Sequence, residues 1–170
     1  MINIEQTLLD KYPSFSARHK AIRLPTLSLL KKITYEDQVN RFLAKNSTLQ
    51  GFDFIDAVFE YFNFSYAVSA RDRANIPAEG RVVIIANHPI GSLDGLALLK
   101  LVSEVRKDVR IIANDMLSHF EGLRSLIIPV DNMGSGGALR SYKTALSALK
   151  REEAVIIFPA GEVSPNNCAF

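Results

Sequence analysis

VVIIANHPIGSLDG, running from Val82 to Gly95, is the stretch that decides how this chain folds. Val82 to Ala86 is an unbroken apolar run, which predicts a strand buried on both faces. Pro89, Gly91 and Ser92 then form a turn. From Leu93 to Val105, leucines and a valine recur at helical spacing. Strand, polar corner and helix follow one another within about two dozen residues.

The same alternation continues downstream. Val109 to Ala113 reads as a second strand and Leu126 to Val130 as a third. Ala138 to Lys150 reads as a helix and Ala154 to Phe158 as a fourth strand. That order predicts an α/β fold with a mostly parallel sheet flanked by crossover helices. Upstream, Met1 to about Tyr66 reads as helical. The expected organisation is an N-terminal helical segment over residues 1–66, packed on or leading into an α/β core over residues 67–170. Pro25 is expected to interrupt any longer helix. Thr34 with Asp37 resembles a capping box ahead of Val39, Phe42 and Leu43. Asp53 is positioned to cap a helix whose Phe54, Ile55, Val58, Phe59 and Phe62 share an apolar face. Tyr66 to Ser69 reads as a short strand.

Bulk properties narrow the function. The 170 residues fit one domain, and 48% apolar with 22% charged residues is the composition of a folded protein. A formal net charge of +2 is too small to point to nucleic acid. Cys168 is the only cysteine, so no intrachain disulfide forms, which fits a reducing compartment. No apolar stretch approaches the roughly 20 residues of a spanning helix. The N-terminal Met-Ile-Asn-Ile-Glu-Gln lacks the basic-then-apolar order of a signal peptide. His19, His88 and His119 are scattered, without the spacing of a zinc site. No Gly-x-Ser-x-Gly elbow supports a serine hydrolase.

Ligands of parallel sheets sit beyond the carboxyl ends of the strands. Three loops follow such ends: Asn87 to Asp94, Asp131 to Gly137 and Pro159 to Pro165. In the first, a tight corner would fold His88 and Asp94 toward each other. The aspartate would hold one ring nitrogen and leave the other to take a proton from a hydroxyl. Asn87 and Ser92 would orient the loop. Taken alone, the two residues read first as a helix start, with Ser92 or Asp94 the cap and His88 a turn residue. In the second loop, Met133 to Gly137 presents backbone N–H groups to a phosphate, or is a flexible loop with a helix cap. Arg18 to Lys32 mixes cations with leucines, as a segment lying on an anionic membrane does, or as an amphipathic helix packed on the sheet does. The aromatic face from Phe54 to Phe62 is expected to pack rather than to enter lipid.

The third loop shifts the balance. Phe158-Pro159-Ala160-Gly161-Glu162-Val163-Ser164 follows a strand, as the His88 loop does. Together the two resemble the glycerolipid acyltransferase family of the lysophosphatidic-acid acyltransferase type. That family carries an Asn-His, four residues, Asp motif and a later Phe-Pro-Glu-Gly-Thr-Arg-Ser motif. The spacing Asn87-His88-Pro89-x-Gly91-x-x-Asp94-Gly95 is similar to its hemolysin-like branch, which includes ornithine-lipid acyltransferase relatives. The resemblance runs from about Arg81 to Ser164. It implies an O-acyltransferase that moves a fatty acyl chain from a thioester to the hydroxyl of a lyso-lipid. His88 would be the general base and Asp94 its partner. Asn87, Gly91, Ser92, Asp131, Asn132, Phe158, Pro159, Gly161, Glu162 and Ser164 would bind substrate. It implies no cofactor or metal, with acyl-CoA or acyl-carrier protein as co-substrate. The partners would be a lyso-lipid acceptor, the acyl donor and a membrane surface, with no nucleic acid. The protein would be cytoplasmic and peripheral on the inner face of the membrane. The oligomeric state stays open.

The departures from the family pattern bear on substrate. Five residues, not four, separate His88 from Asp94, and Gly91 absorbs the extra one. Ala160, Glu162 and Val163 stand where the family has Glu, Thr and Arg. Asn132 stands at about the position of a second family arginine. Those arginines hold the acceptor's phosphate in the family, and arginine's planar fork suits that task. The expected acceptor is therefore an amino-acyl lipid with a free hydroxyl, such as a lyso-ornithine lipid, whose ammonium Glu162 or Asp131 would pair. Arg124 and Arg140 lie near the same loop and offer another route to phosphate binding. Glu162 is also read as a loop cap or a solvated side chain. Two further readings are a non-catalytic lipid- or acyl-binding relative and a thioesterase-like hydrolase. The family has sequence beyond its third motif, so a chain stopping at Phe170 is expected to be a piece of something longer.

Overall fold

The computed structural model describes residues 4–11, 20–33, 35–87, 91–114, 117, 120–130 and 137–159. The chain divides into two compact units, Met1–Ser47 and Thr48–Phe170. The first holds helices α1 (Ile4–Lys11), α2 (Lys20–Ile33) and α3 (Glu36–Lys45). The second opens with α4 (Gly51–Phe62) and the single-turn α5 (Ala70–Arg73). It continues with β1 (Val82–Ile85), α6 (Ser92–Ser103), β2 (Val109–Asn114), a 3₁₀ turn (Glu121–Leu123), β3 (Ile127–Val130), α7 (Gly137–Lys150) and β4 (Ala154–Ile157).

The four strands form one parallel sheet in the order β1-β4-β2-β3. The expected α/β class, with a parallel sheet flanked by helices and a helical N-terminal segment, is what the fold shows. The alternation read from the sequence holds because parallel strands cannot be joined by a tight hairpin. Paired residues of neighbouring strands point to the same face. Ile128 and Val155 pack with Ala145 and Ala148 of α7 on one face, joined by Ile112 and Leu149. On the other, Ile111 lies against Gly95 of α6, and α4 packs on α6 and on the 3₁₀ turn.

The run Val82 to Ala86 is not buried on both faces. Among the described residues β1 pairs on one side only, with β4, and Val83 and Ile85 are 48% and 69% exposed. An apolar run marks a strand but does not distinguish an edge from the centre; here the central positions belong to β4 and β2. Their Val109, Ala154, Val155 and Ile156 are at most 1% exposed.

Beneath the sheet, at the amino ends of the strands, sits Arg106, 5% exposed. Its guanidinium donates to both Asp108 carboxylate oxygens (2.8 and 2.7 Å) and to the carbonyls of Gly80 (2.7 Å), Pro77 (3.3 Å) and Glu152 (2.6 Å). One side chain thereby ties together the segments leading into β1, β2 and β4. The Arg106 hydrogen bonds hold the Asp108 carboxyl below its ordinary value, against the opposing effect of burial.

Four local expectations are corrected. Tyr66 to Ser69 is not a strand: Ser69 caps α5 by accepting from the Asp72 N–H (3.1 Å), and Tyr66 donates to Glu104 (2.8 Å). Pro25 lies inside α2 rather than breaking it. The ring is exposed, and it forfeits one backbone bond without ending the helix. Asp53 is in the first turn of α4 and Gln50 occupies the cap position, so the carboxylate acts through the helix dipole and not as the cap. At α3 the cap position is Tyr35, left-handed at φ 53° and without a side-chain cap bond; Thr34 lies outside the described residues. The apolar face of α4 does pack: Phe54, Ile55 and Val58 are buried, while Phe62 is exposed.

Candidate active site

The site is built by the pairing of β1 with β4. Their register aligns Ile85 with Ile157, and the Ala86 N–H donates to the Ile157 carbonyl (3.2 Å). The chain segments leaving both strands, Ala86-Asn87 and Phe158-Pro159, therefore emerge side by side at the carboxyl end of the sheet, about 4.8 Å apart. Sequence order alone does not state this adjacency, because β4 is the last strand and β1 the first.

Gly91 turns the chain from the loop into α6 with φ 99° and ψ −140°, a conformation only glycine adopts without strain. The Gly91 N–H donates to Asp94 Oδ2 (3.1 Å), and the Asp94 N–H donates to the Gly91 carbonyl (3.0 Å). Asp94 is thus fastened across the first turn of α6, where the helix dipole favours a carboxylate. The capping role offered for Asp94 holds. For Ser92 it does not: Ser92 is the first helical residue, is exposed, and Gly91 occupies the cap position. A carboxylate has about four lone-pair sites, so accepting from Gly91 is compatible with orienting an imidazole as well.

Phe158 is half-buried and lies against the start of α6. A Cβ added at Gly95 would come within 3.7 Å of its ring and within 3.0 Å of the Ile111 side chain. In the sequence Gly95 stands only as the last residue of the Asn87-to-Gly95 motif, with no role attached. Its lack of a side chain lets the helix carrying Asp94 settle onto β2 and Phe158. The signal was a glycine immediately after Asp94 inside an otherwise apolar helix. Asn87 and Pro159 are exposed at the ends of their strands. His88, Asp131, Asn132, Gly161, Glu162 and Ser164 lie outside the described residues.

The sequence profile of a family described as acyltransferase matches residues 6–168. The chain belongs to this acyltransferase family. The resemblance read from the His88 and Phe158 loops is borne out at that level. Among acyltransferases of known name, the chain is 31% identical over 162 residues to a lyso-glycine lipid O-acyltransferase of Bacteroides thetaiotaomicron, across 95% of the chain and 57% of that protein. It is equally 31% identical over 163 residues to a lyso-glycine lipid O-acyltransferase of Phocaeicola vulgatus, across 95% of the chain and 56% of that protein. The chain therefore spans just over half the length of the curated relatives it matches. No solved structure matches it.

Two clefts of this acyltransferase chain lie away from the Asn87 and Phe158 segments. One, of about 560 Å³, runs along α7; the other, of about 760 Å³, lies at the amino ends of β2 and β3. Among the described residues no cluster of His, Cys, Asp and Glu is arranged to hold a metal ion, and no helix is long and apolar enough to cross a membrane.

Proposed function

We propose that this chain carries the catalytic pair of an O-acyltransferase that acylates the free hydroxyl of a lyso-lipid. The observation that carries the reading is Asp94, held at the start of α6 directly after the histidine loop, with the adjoining Gly95 against Phe158 at the end of β4. His88 takes the proton of the acceptor hydroxyl while its oxygen attacks the thioester carbonyl. The carbon–sulfur bond breaks, the acyl group is now an ester, and the departing thiolate takes the proton back from the imidazolium. Asp94 fixes the imidazole tautomer and stabilises the cation that forms transiently. No acyl-enzyme is needed. The donor is a thioester of coenzyme A or of a carrier protein.

The acceptor is an amino-acid lipid rather than a glycerol phosphate. The relatives' name, lyso-glycine lipid O-acyltransferase, supports this, as do Asn132 and Val163 at the two positions where phosphate-holding arginines would stand. Glycine has no side-chain ammonium, so a glycine-type headgroup needs no pairing with Glu162 or Asp131; an ornithine-type headgroup does. Such an acceptor is presented at a bilayer. Exposed Leu24, Leu29 and Ile33 on α2, with exposed Lys32 among them, support contact with an anionic membrane. The protein would work from the cytoplasmic side as a peripheral enzyme.

The test is acyl transfer from labelled acyl-CoA and acyl-carrier protein to lyso-glycine lipid, lyso-ornithine lipid and lysophosphatidic acid. An amino-acid lipid should be preferred. Preference for lysophosphatidic acid would sink the acceptor assignment. Thioester cleavage independent of any acceptor would favour a hydrolase, and lipid binding without turnover a non-catalytic binder.

A further inference from the structure

The cleft along α7 has a composition that the acyl-transfer chemistry at the loops does not use. It is lined by Arg110, Arg140, Lys143, Thr144, Ser147 and Arg151. Arg110 pairs in register with Val155, which packs under α7, so the arginine projects on the α7 face of the sheet. Cations from the helix and from the sheet thus converge on one concavity of about 560 Å³. Arg151 is paired with Glu153 (2.6 Å) and donates to Ser147 (2.9 Å). Arg110 donates from its Nε to the Ser125 carbonyl at 3.4 Å. Among the described residues no carboxylate pairs with Arg110, Arg140 or Lys143. Convergent unpaired cations repel one another, and guanidinium groups beside hydroxyls suit the oxygens of a phosphate.

The cleft also has a direction. Arg140 is in the first turn of α7, which begins where the loop from the carboxyl end of β3 arrives. Arg110 and Arg151 are at the amino ends of β2 and β4. Arg151 follows Arg140 by eleven positions and lies just past the end of α7, about 16 Å along the axis at 1.5 Å per residue. An elongated polyanion lying here would reach from the amino ends of the strands toward the end that carries the site. Resting on the acyl-transfer reading, we propose that this cleft binds the phosphates of a coenzyme-A thioester donor. A concave cleft fits a small phosphorylated ligand, whereas an anionic bilayer would meet a flat or convex basic surface.

The test is calorimetric binding of unacylated coenzyme A to the full chain, which requires no turnover. Arg140→Gln with Lys143→Gln is the first variant, since both side chains are exposed; Arg110→Gln is the second. The pair should weaken coenzyme A roughly tenfold or more, as expected for the loss of charge-assisted contacts, and leave binding to phosphatidylglycerol vesicles unchanged. Wild-type binding should also weaken as salt is raised. Unaltered coenzyme A affinity in both variants would overturn the proposal. So would a wild-type chain that binds no coenzyme A, or transfers only from acyl-carrier protein, or variants that lose the vesicles instead. If coenzyme A binds through the cleft but no acceptor is acylated, the transfer reading falls and the cleft stands. If transfer from acyl-CoA proceeds with unchanged KM in the variants, the cleft falls and the transfer reading stands.

Discussion

Replacing Asp94 by asparagine separates its two roles. Asparagine keeps an oxygen that can accept from the Gly91 N–H, now at 3.1 Å, and removes the charge. The stability lost is then the charged part of one hydrogen bond, about 1 kcal/mol, and the helix-dipole contribution of about 0.3–1 kcal/mol. A loss near 1.5 kcal/mol lowers Tm by roughly 3–6 °C in a chain of this size and leaves it folded at assay temperature. The catalytic loss should be far larger. An amide neither fixes the productive imidazole tautomer nor balances the imidazolium, and kcat should fall by about a hundredfold to ten-thousandfold. The assay is steady-state acyl transfer well below Tm, with thermal unfolding followed by circular dichroism. Ser92→Ala is the control for helix starts: Gly91, not Ser92, holds the cap position, and Tm should move by no more than about 1–2 °C. If Asp94→Asn costs the expected stability but less than about tenfold in kcat, Asp94 is a cap alone and the reasoning fails.

Other perturbations probe the scaffold. Arg106→Met should cost about 3 kcal/mol in urea unfolding, because it strips the partners of three carbonyls and of Asp108; the half-exposed Asp108 rehydrates, which keeps the loss below that of a fully buried pair. Gly122→Ala drives a Cβ to within 2.4 Å of the Phe54 ring and should cost about 1–3 kcal/mol, partly recovered when Phe54→Leu is added. Tyr66 is pushed up to about 12 by burial first and by its bond to Glu104 second. The folded state then holds the phenolic proton more tightly than the unfolded state, so this contribution is intact below about pH 10 and is lost as pH rises toward 12. Tyr66→Phe should flatten the fall in stability across that window.

The four strands and the helices α4, α6 and α7 of the second unit were legible because each is a compact apolar run or a clear helical period between turn residues. Ala154 to Ile157 and Val109 to Asn114 were placed within a residue. Burial was less legible: Val82 to Ile85 is as apolar as β4 yet sits at an edge, since strand order depends on crossovers that composition does not encode. Tyr66 to Ser69 misled because an apolar tetrapeptide is consistent with a strand, while the Ser69 cap and the Glu104 bond come from spacing and from a residue 38 positions away. At the site, the motif residues Asn87, Gly91, Asp94 and Phe158 were read from two loops, and the β1–β4 pairing explains why they converge. The packing role of Gly95, the Arg106 network and the Arg110–Lys143 cleft were not legible, because each depends on neighbours distant in sequence.

The proposed chemistry makes His88 a base serving an acceptor hydroxyl. The most direct measurement is product formation from acyl-CoA with and without lyso-glycine lipid, comparing the wild-type chain with His88→Ala. Thiol release should require the acceptor, match ester formed one for one, and fall by at least about a hundredfold in the variant while the fold is kept. Acceptor-independent thiol release, or transfer that survives His88→Ala, would contradict it.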